Sequence, residues 1–295
     1  MKILNYIIGL VASWFTDQDQ ILGELIFSAG KPWKLSCLTN TSQGLFVGIY
    51  NSESRSNSKL FRDGKLIYEG REETIGQGVE HDGAVYFAGE NGSLLIYADG
   101  KITKGVRLAF ASTCVSFDGK PYVFNTDKNT IRVTNCWTNA CEFIMPGSGI
   151  VTMAMVDGQK LYTVACDGAG GVACNDGNFI PMADCQCLIK YNGRVFVSRV
   201  NKLYEKVGDD LSFIDELPCE KLMHMNVSGG LLWVAGSGPD SLWTYNQVLR
   251  RREVARFADD MTPVGGTVFR VRVTPGYFGW CARGNSAEVY KIKEG

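Results

Sequence analysis

The stretch VEHDGAVYFAGENGSLLIYADGKI, residues 79–102, carries Asp82-Gly83 and Asp99-Gly100 with Asn91-Gly92 between them. Asp-Gly and Asn-Gly pairs between apolar runs signal tight hairpin turns, because both central residues must take positive φ. Three such turns separate four short runs: GQGVE, AVYFAGE, SLLIYA and KITKGV. The pattern predicts a four-stranded antiparallel meander. A meander of that size buries too little to stand alone, so the question is whether it recurs along the chain.

It does recur. A turn glycine followed closely by an aromatic residue appears as Gly44 with Phe46, Gly83 with Tyr86, Gly119 with Tyr122 and Gly158 with Tyr162. Gly193 with Phe196, Gly229 with Trp233 and Gly276 with Phe278 complete the series. Successive glycines lie 39, 36, 39, 35, 36 and 47 positions apart. A second element follows each about ten residues later, a small polar residue before an apolar run ending in an aromatic. It reads SKLF at 58–61, SLLIY at 93–97, NKLY at 201–204, SLWTY at 241–245 and SAEVY at 286–290. The third unit has NTIRV at 129–133 without the aromatic, and the fourth, GGVACNDG, is the most degenerate. A period near 40 with several strands per unit is the mark of a propeller blade. The recurrent aromatics then have a structural task. Sheets arranged around an axis diverge outward, and large side chains fill the widening gap between them.

The two ends predict how the ring closes. The seventh unit, TVFRVRVT, YFGWCAR and AEVYKIKEG, holds three strands. Glu24 to Ser28 reads as a strand ahead of the first unit, and its pairing with the last unit would remove an exposed edge. The expected fold is all-β, a seven-bladed β-propeller of four-stranded antiparallel blades closed by an N-terminal strand. It has an arm at residues 1–23 and the propeller at 24–295. Over that span the chain resembles β-propeller proteins, but without the Trp-Asp signature of the WD40 class, the kelch Gly-Gly pattern or the sialidase Asp box. Its DG-x-x-Y and S-L-x-x-Y units look most like propeller domains of bacteriophage tail and fibre components.

Composition narrows the function. The 295 residues carry a formal net charge of −1, with pI about 6.2. That balance gives no reason to expect nucleic acid, and Glu253 follows the basic run Leu249 to Arg252 on what reads as a solvated strand face. Ten cysteines and two histidines show no CxxC or zinc-ligand spacing, so no metal or cofactor is expected. Most of the thiols read as buried and reduced, which fits a reducing compartment. Cys166 and Cys174 could meet across a hairpin, and Cys185 and Cys187 fall two apart on one strand face.

The N-terminal stretch MKILNYIIGLVASWF is too short to span a bilayer, which takes roughly 20 apolar residues. It reads as an assembly arm whose Ile3, Tyr6, Ile7, Trp14 and Phe15 pack on a neighbour. A signal peptide or membrane-surface anchor is the alternative.

The resemblance implies a ligand face built by the loops between second and third strands and by the links between blades. Its candidates are Glu53, Arg55, Arg71, Asp127, Asp240 and Arg283. They share no repeated chemical theme. Converging arginines would be needed to fork a carboxylate, and only Arg55, Arg71 and Arg283 are candidates. His81 falls at a hairpin turn, and His224 on an inner strand where it would line the channel. No catalytic residue is assigned, and phosphate-loop, dinucleotide, hydrolase-elbow and zincin motifs are all missing.

The expected protein is a non-catalytic structural or interaction propeller in a larger assembly, such as a virion tail, fibre or decoration protein. Its partners would be other protein subunits, met through the arm and the loop face. Its place would be the virion, or the cytoplasm if the source is cellular. The rival readings are a glycan-binding or glycan-cleaving propeller using that loop face, and a cellular scaffold that binds peptides there.

Overall fold

The computed structural model describes residues 22–54, 57–108, 113–127, 130–166, 170–219, 221–236, 242–246, 248–251, 271–282 and 286–292. The described elements are strands throughout. β1 (Leu22–Ala29) comes first and belongs to the last blade. Blade 1 holds β2 (Trp33–Thr41), β3 (Gly44–Asn51), β4 (Ser58–Arg62) and β5 (Lys65–Gly70). Blade 2 holds β6 (Val79–His81), β7 (Ala84–Ala88), β8 (Ser93–Ala98) and β9 (Lys101–Arg107). Blade 3 is β10 (Cys114–Phe117), β11 (Lys120–Asp127), β12 (Thr130–Asn135) and β13 (Cys141–Met145). Blade 4 is β14 (Ile150–Asp157), β15 (Lys160–Cys166), β16 (Gly171–Cys174) and β17 (Phe179–Pro181). Blade 5 is β18 (Cys185–Tyr191), β19 (Arg194–Arg199), β20 (Lys202–Val207) and β21 (Asp210–Glu216). Blade 6 comprises β22 (Leu222–Ser228), β23 (Leu231–Gly236), β24 (Leu242–Asn246) and β25 (Val248–Arg251). Blade 7 comprises β26 (Val271–Thr274), β27 (Tyr277–Ala282) and β28 (Ser286–Ile292).

Seven four-stranded antiparallel sheets result; six are meanders of consecutive strands, and the seventh adds β1 to β26–β28. The expected closure is present. β1 is the outermost strand of blade 7, antiparallel to β28, with Leu25 opposite Tyr290 and Ala29 opposite Ala287. The strand is longer than the five residues expected and begins at Leu22. The first strands of neighbouring blades touch in sequence around the axis, from β2 and β6 through to β26, which meets β2 again. The fold is therefore a closed seven-bladed β-propeller.

The turns explain why the meanders form where they do. Asp82 and Gly83 take φ of 46° and 71°, and Asp99 and Gly100 take 51° and 78°. That is the two-residue turn whose twist matches paired strands. Asn91-Gly92 is different: Asn91 has φ of 50°, but Gly92 is not in the positive region. Gly92 is needed for space, since a Cβ there would lie 2.4 Å from Cγ of the buried Glu72.

The seven repeat aromatics, Phe46, Tyr86, Tyr122, Tyr162, Phe196, Trp233 and Phe278, are all buried. Several of them bridge blades. Phe46 of blade 1 lies 5.2 Å from both Phe87 and Tyr97 of blade 2. Phe196 of blade 5 meets Tyr245 of blade 6 at 5.3 Å. Phe27 of β1 meets Phe61 of blade 1 at 4.9 Å, so the closing strand also seals the last seam. Each such ring is worth roughly 1.5–3 kcal/mol of burial.

Polar bonds tie the inner hairpins together around the same face. Asn40 Nδ2 donates to Pro275 O at 3.1 Å, linking blade 1 to blade 7. Gln43 Nε2 donates to Gly83 O at 2.9 Å, Tyr191 Oη to Gly230 O at 2.8 Å, and Asn226 Nδ2 to Val273 O at 3.2 Å. Among the described residues no helix is long and apolar enough to cross a membrane.

Candidate functional site: the polar wall of the axis

In a propeller the sheets stand edge-on to the axis. Side chains of an inner strand that alternate regularly point into the two seams, not into the channel. Four inner strands here break the alternation with one extra residue. In β2 the pairs Leu35–Ile49 and Cys37–Gly48 leave Ser36 unpaired. Thr152 in β14, Gln186 in β18 and Met223 in β22 are skipped in the same way. A bulge of this kind re-aims a side chain. All four bulged residues line one cavity of about 190 Å³.

The cavity also takes Thr74 to Gln77 from the link before β6, Glu90, Ile150, Cys166, His224 and Arg272. It thus collects residues from six blades. On one side, Val273 N–H donates to His224 Nδ1 at 3.4 Å, so Nε2 carries the ring hydrogen. Burial holds the His224 pKa down at about 3, and the Arg272 charge adds to the effect. The ring is therefore neutral at ordinary pH, and its Nε2–H has no partner among the described residues. Gln186 Nε2 and Ser36 Oγ are likewise buried without a partner. Across the cavity, Gln77 gives Nε2 to Leu38 O at 3.0 Å, which leaves its Oε1 unpartnered. Glu90 Oε2 accepts from Thr74 Oγ1 at 2.7 Å.

The thiols are inert in these surroundings. Burial raises Cys37 to about 11 and Cys187 to about 12, with Arg272 pulling each down by less. Burial also pushes Cys185 up to about 12. Two expectations about cysteine fail. Cys185 and Cys187 do not share a face, because the Gln186 bulge sends Cys185 to the blade 4–5 seam and Cys187 to the blade 5–6 seam. Cys166 and Cys174 do not meet across their hairpin, since Cys174 pairs with Tyr162 and Cys166 sits four residues farther along β15. The nine cysteines whose side chains are described form no disulfide. Among the described residues no three of His, Cys, Asp and Glu are grouped to hold a metal.

The loop-face residues do not form a described cluster. Glu53 is exposed in the β3–β4 loop, where its backbone N–H donates to Asn51 Oδ1 at 2.9 Å. Arg71 is exposed in the link between blades 1 and 2. Asp127 ends β11, but its side chain lies outside the described residues, as do Arg55, Asp240 and Arg283. Ile3, Tyr6, Ile7, Trp14 and Phe15 also lie outside them. His81 sits at its hairpin turn with Nδ1 2.7 Å from Ser116 Oγ and its ring 5.2 Å from Trp137, a packed structural position. Glu72, in the link beside Arg71, is buried, with both carboxylate oxygens 2.8 Å from Tyr68 Oη.

The axial residues other than His224 were missed because polar residues inside strands look ordinary. A signal was present: a single polar residue between apolar ones near the start of the first strand, in Leu35-Ser36-Cys37, Val151-Thr152-Met153 and Cys185-Gln186-Cys187.

No family model and no curated protein matches the sequence. Solved structures do match in shape. A chain of the mitotic checkpoint complex aligns with TM-score 0.67 at 10% identity, over 95% of this chain and 94% of that one. BBS1N, crystallised in complex with ARL6DN and soaked with mercury, aligns with TM-score 0.61 at 14% identity, over 93% and 98%. BamB from Moraxella catarrhalis aligns with TM-score 0.55 at 11% identity, over 88% and 84%. At these identities the likeness is one of fold.

Proposed function

We propose that the protein is a non-catalytic propeller that serves as a docking platform in a larger protein assembly, with the N-terminal arm as its attachment. One observation carries this reading: the ring is complete from Leu22 onward. Seven blades have all four strands without any residue of the apolar stretch ahead of β1. Closure does not call on Ile3, Tyr6, Ile7, Trp14 and Phe15, and in this reading they pack on a neighbour. β1 begins opposite Ile292, whose N–H donates to Gly276 O at 2.8 Å. β1 thus begins at the outer edge of blade 7, on the face of the inner hairpin turns, and a partner of the arm would be met from there. An arm that orders on binding can wrap a partner surface.

Two solved neighbours, BBS1N with ARL6DN and the checkpoint complex, are themselves described in protein complexes. The more specific reading, a virion tail, fibre or decoration protein, draws on the DG-x-x-Y and S-L-x-x-Y style of the repeats. The lack of a disulfide among the nine described cysteines favours a reducing compartment during assembly.

Removal of residues 1–20 is the test. The shortened chain keeps its β-sheet circular dichroism and its melting temperature, but in sedimentation it no longer joins the native assembly. A shortened chain that assembles like the full one overturns the role of the arm.

A further inference from the structure

The axis holds polar groups that the fold itself does not use. Ser36 Oγ, Gln77 Oε1, Gln186 Nε2 and His224 Nε2 are buried without partners among the described residues, and all four residues line the same cavity. Gln186 and His224 are only 6% and 4% exposed. Unmatched buried polar atoms destabilise a fold, so four around one space point to a ligand rather than to packing.

The wall has two chemical halves. Blades 5 and 6 present unpartnered donors, the Gln186 Nε2 amide and the His224 Nε2–H, and blade 7 places the Arg272 charge beside them. The charge on Arg272 is felt by Cys37, Cys187 and His224, which lie on three different inner strands. Blade 2 presents acceptors: Gln77 Oε1 and the Glu90 carboxylate. The space between is about 190 Å³, enough for a small molecule.

We propose that the axial cavity binds a small carboxylate that also carries an amino or hydroxyl group. The carboxylate accepts hydrogen bonds from Gln186 and His224 in the field of Arg272. The amino or hydroxyl group donates to Gln77 Oε1 and Glu90. A single negative charge suits this wall, because Arg272 is its one cation among the described residues and Glu90 opposes a second charge on the ligand. Neutral His224 donates without adding charge, so selection comes from hydrogen-bond matching at both ends of the ligand.

The experiment is isothermal titration calorimetry of the full chain near neutral pH with glycine, serine, lactate, acetate and inorganic phosphate. At least one of the first three binds at a single site, about tenfold or more tighter than acetate or phosphate. Gln186→Leu weakens that binding about tenfold or more. Glu90→Gln narrows the preference over acetate. Where a substituted chain misfolds, the thermal shift of the unsubstituted protein gives the same answer, with its melting temperature raised by the bifunctional ligand and not by acetate. Absence of saturable binding by glycine, serine and lactate overturns the proposal. So does acetate or phosphate binding as tightly as they do, or a Gln186→Leu chain with unchanged affinity.

Discussion

Between blades 1 and 2, Phe46 meets Phe87 and Tyr97, and all three rings are buried. At the axis, Ser36 and His224 are buried almost as deeply, yet each leaves a polar atom unmatched. Neighbouring positions on the same inner strand feed both regions: Leu35 and Cys37 turn into the seams, and Ser36 between them turns to the channel. The difference lies in register. Regular alternation fills the seams with apolar groups, and one extra residue per strand lifts a side chain out of the seam toward the axis. The seam is thus built for stability, and the axial wall gives up stability for a polar surface.

The seam side of this contrast predicts the largest effect. Phe46→Ala removes a fully buried ring that spans two blades, and its cost is about 3–5 kcal/mol. Urea unfolding measures it. A loss below about 1 kcal/mol would mean that the seam collapses around the gap, and the contrast with the axis would fail.

The axial side predicts a smaller, pH-dependent effect through His224. Its folded pKa of about 3 lies below the ordinary 6.5. The unfolded chain therefore binds the proton first as pH falls. Stability is fully present above about 6.5 and drains away as pH drops toward 3. The linkage relation gives a loss of about 3 kcal/mol from this group between pH 7 and pH 4. Urea unfolding at several pH values, compared with His224→Gln, isolates it. The substituted chain shows a shallower pH dependence over that window. Equal slopes would place His224 in contact with solvent, as wet as a loop.

The seam was legible in the sequence and the axis largely was not, and the reason is physical. Asp-Gly pairs such as Asp82-Gly83 demand one turn geometry, so the hairpins could be read locally. The recurrent aromatics, Phe46 to Phe278, answer one geometrical need in every blade, so their spacing counted the blades. Closure by β1 followed from a missing strand in the last unit. Bulges have no such local code. A strict two-residue period put Cys185 and Cys187 on one face, and the extra residue at Gln186 parts them. The same omission hid Ser36, Thr152 and Gln186 from view and drew attention to the polar loops, where Glu53 and Arg71 are exposed. Glu72 shows the converse: nothing local marks an acid in a link segment as buried, and only the fold encloses it beside Tyr68 and Lys104.

The smallest effect is also the sharpest test of what the axial wall is for. Ser36 is 2% exposed, and its Oγ has no hydrogen bond among the described residues. Its hydroxyl lies close to the backbone of the neighbouring strand, since a Cβ built on Gly48 would come within 3.0 Å of it. Deleting the hydroxyl opens almost no cavity and relieves an unmatched polar group. Ser36→Ala should therefore raise stability by about 1 kcal/mol in buffer free of small carboxylates. The same kind of truncation at Phe46 lowers stability, so the sign of the change separates the two regions. Urea unfolding of the two substituted chains side by side reads that sign. A loss at Ser36 of the size expected for a satisfied hydroxyl would show that its Oγ is bonded, and the wall would then belong to the packing of the ring.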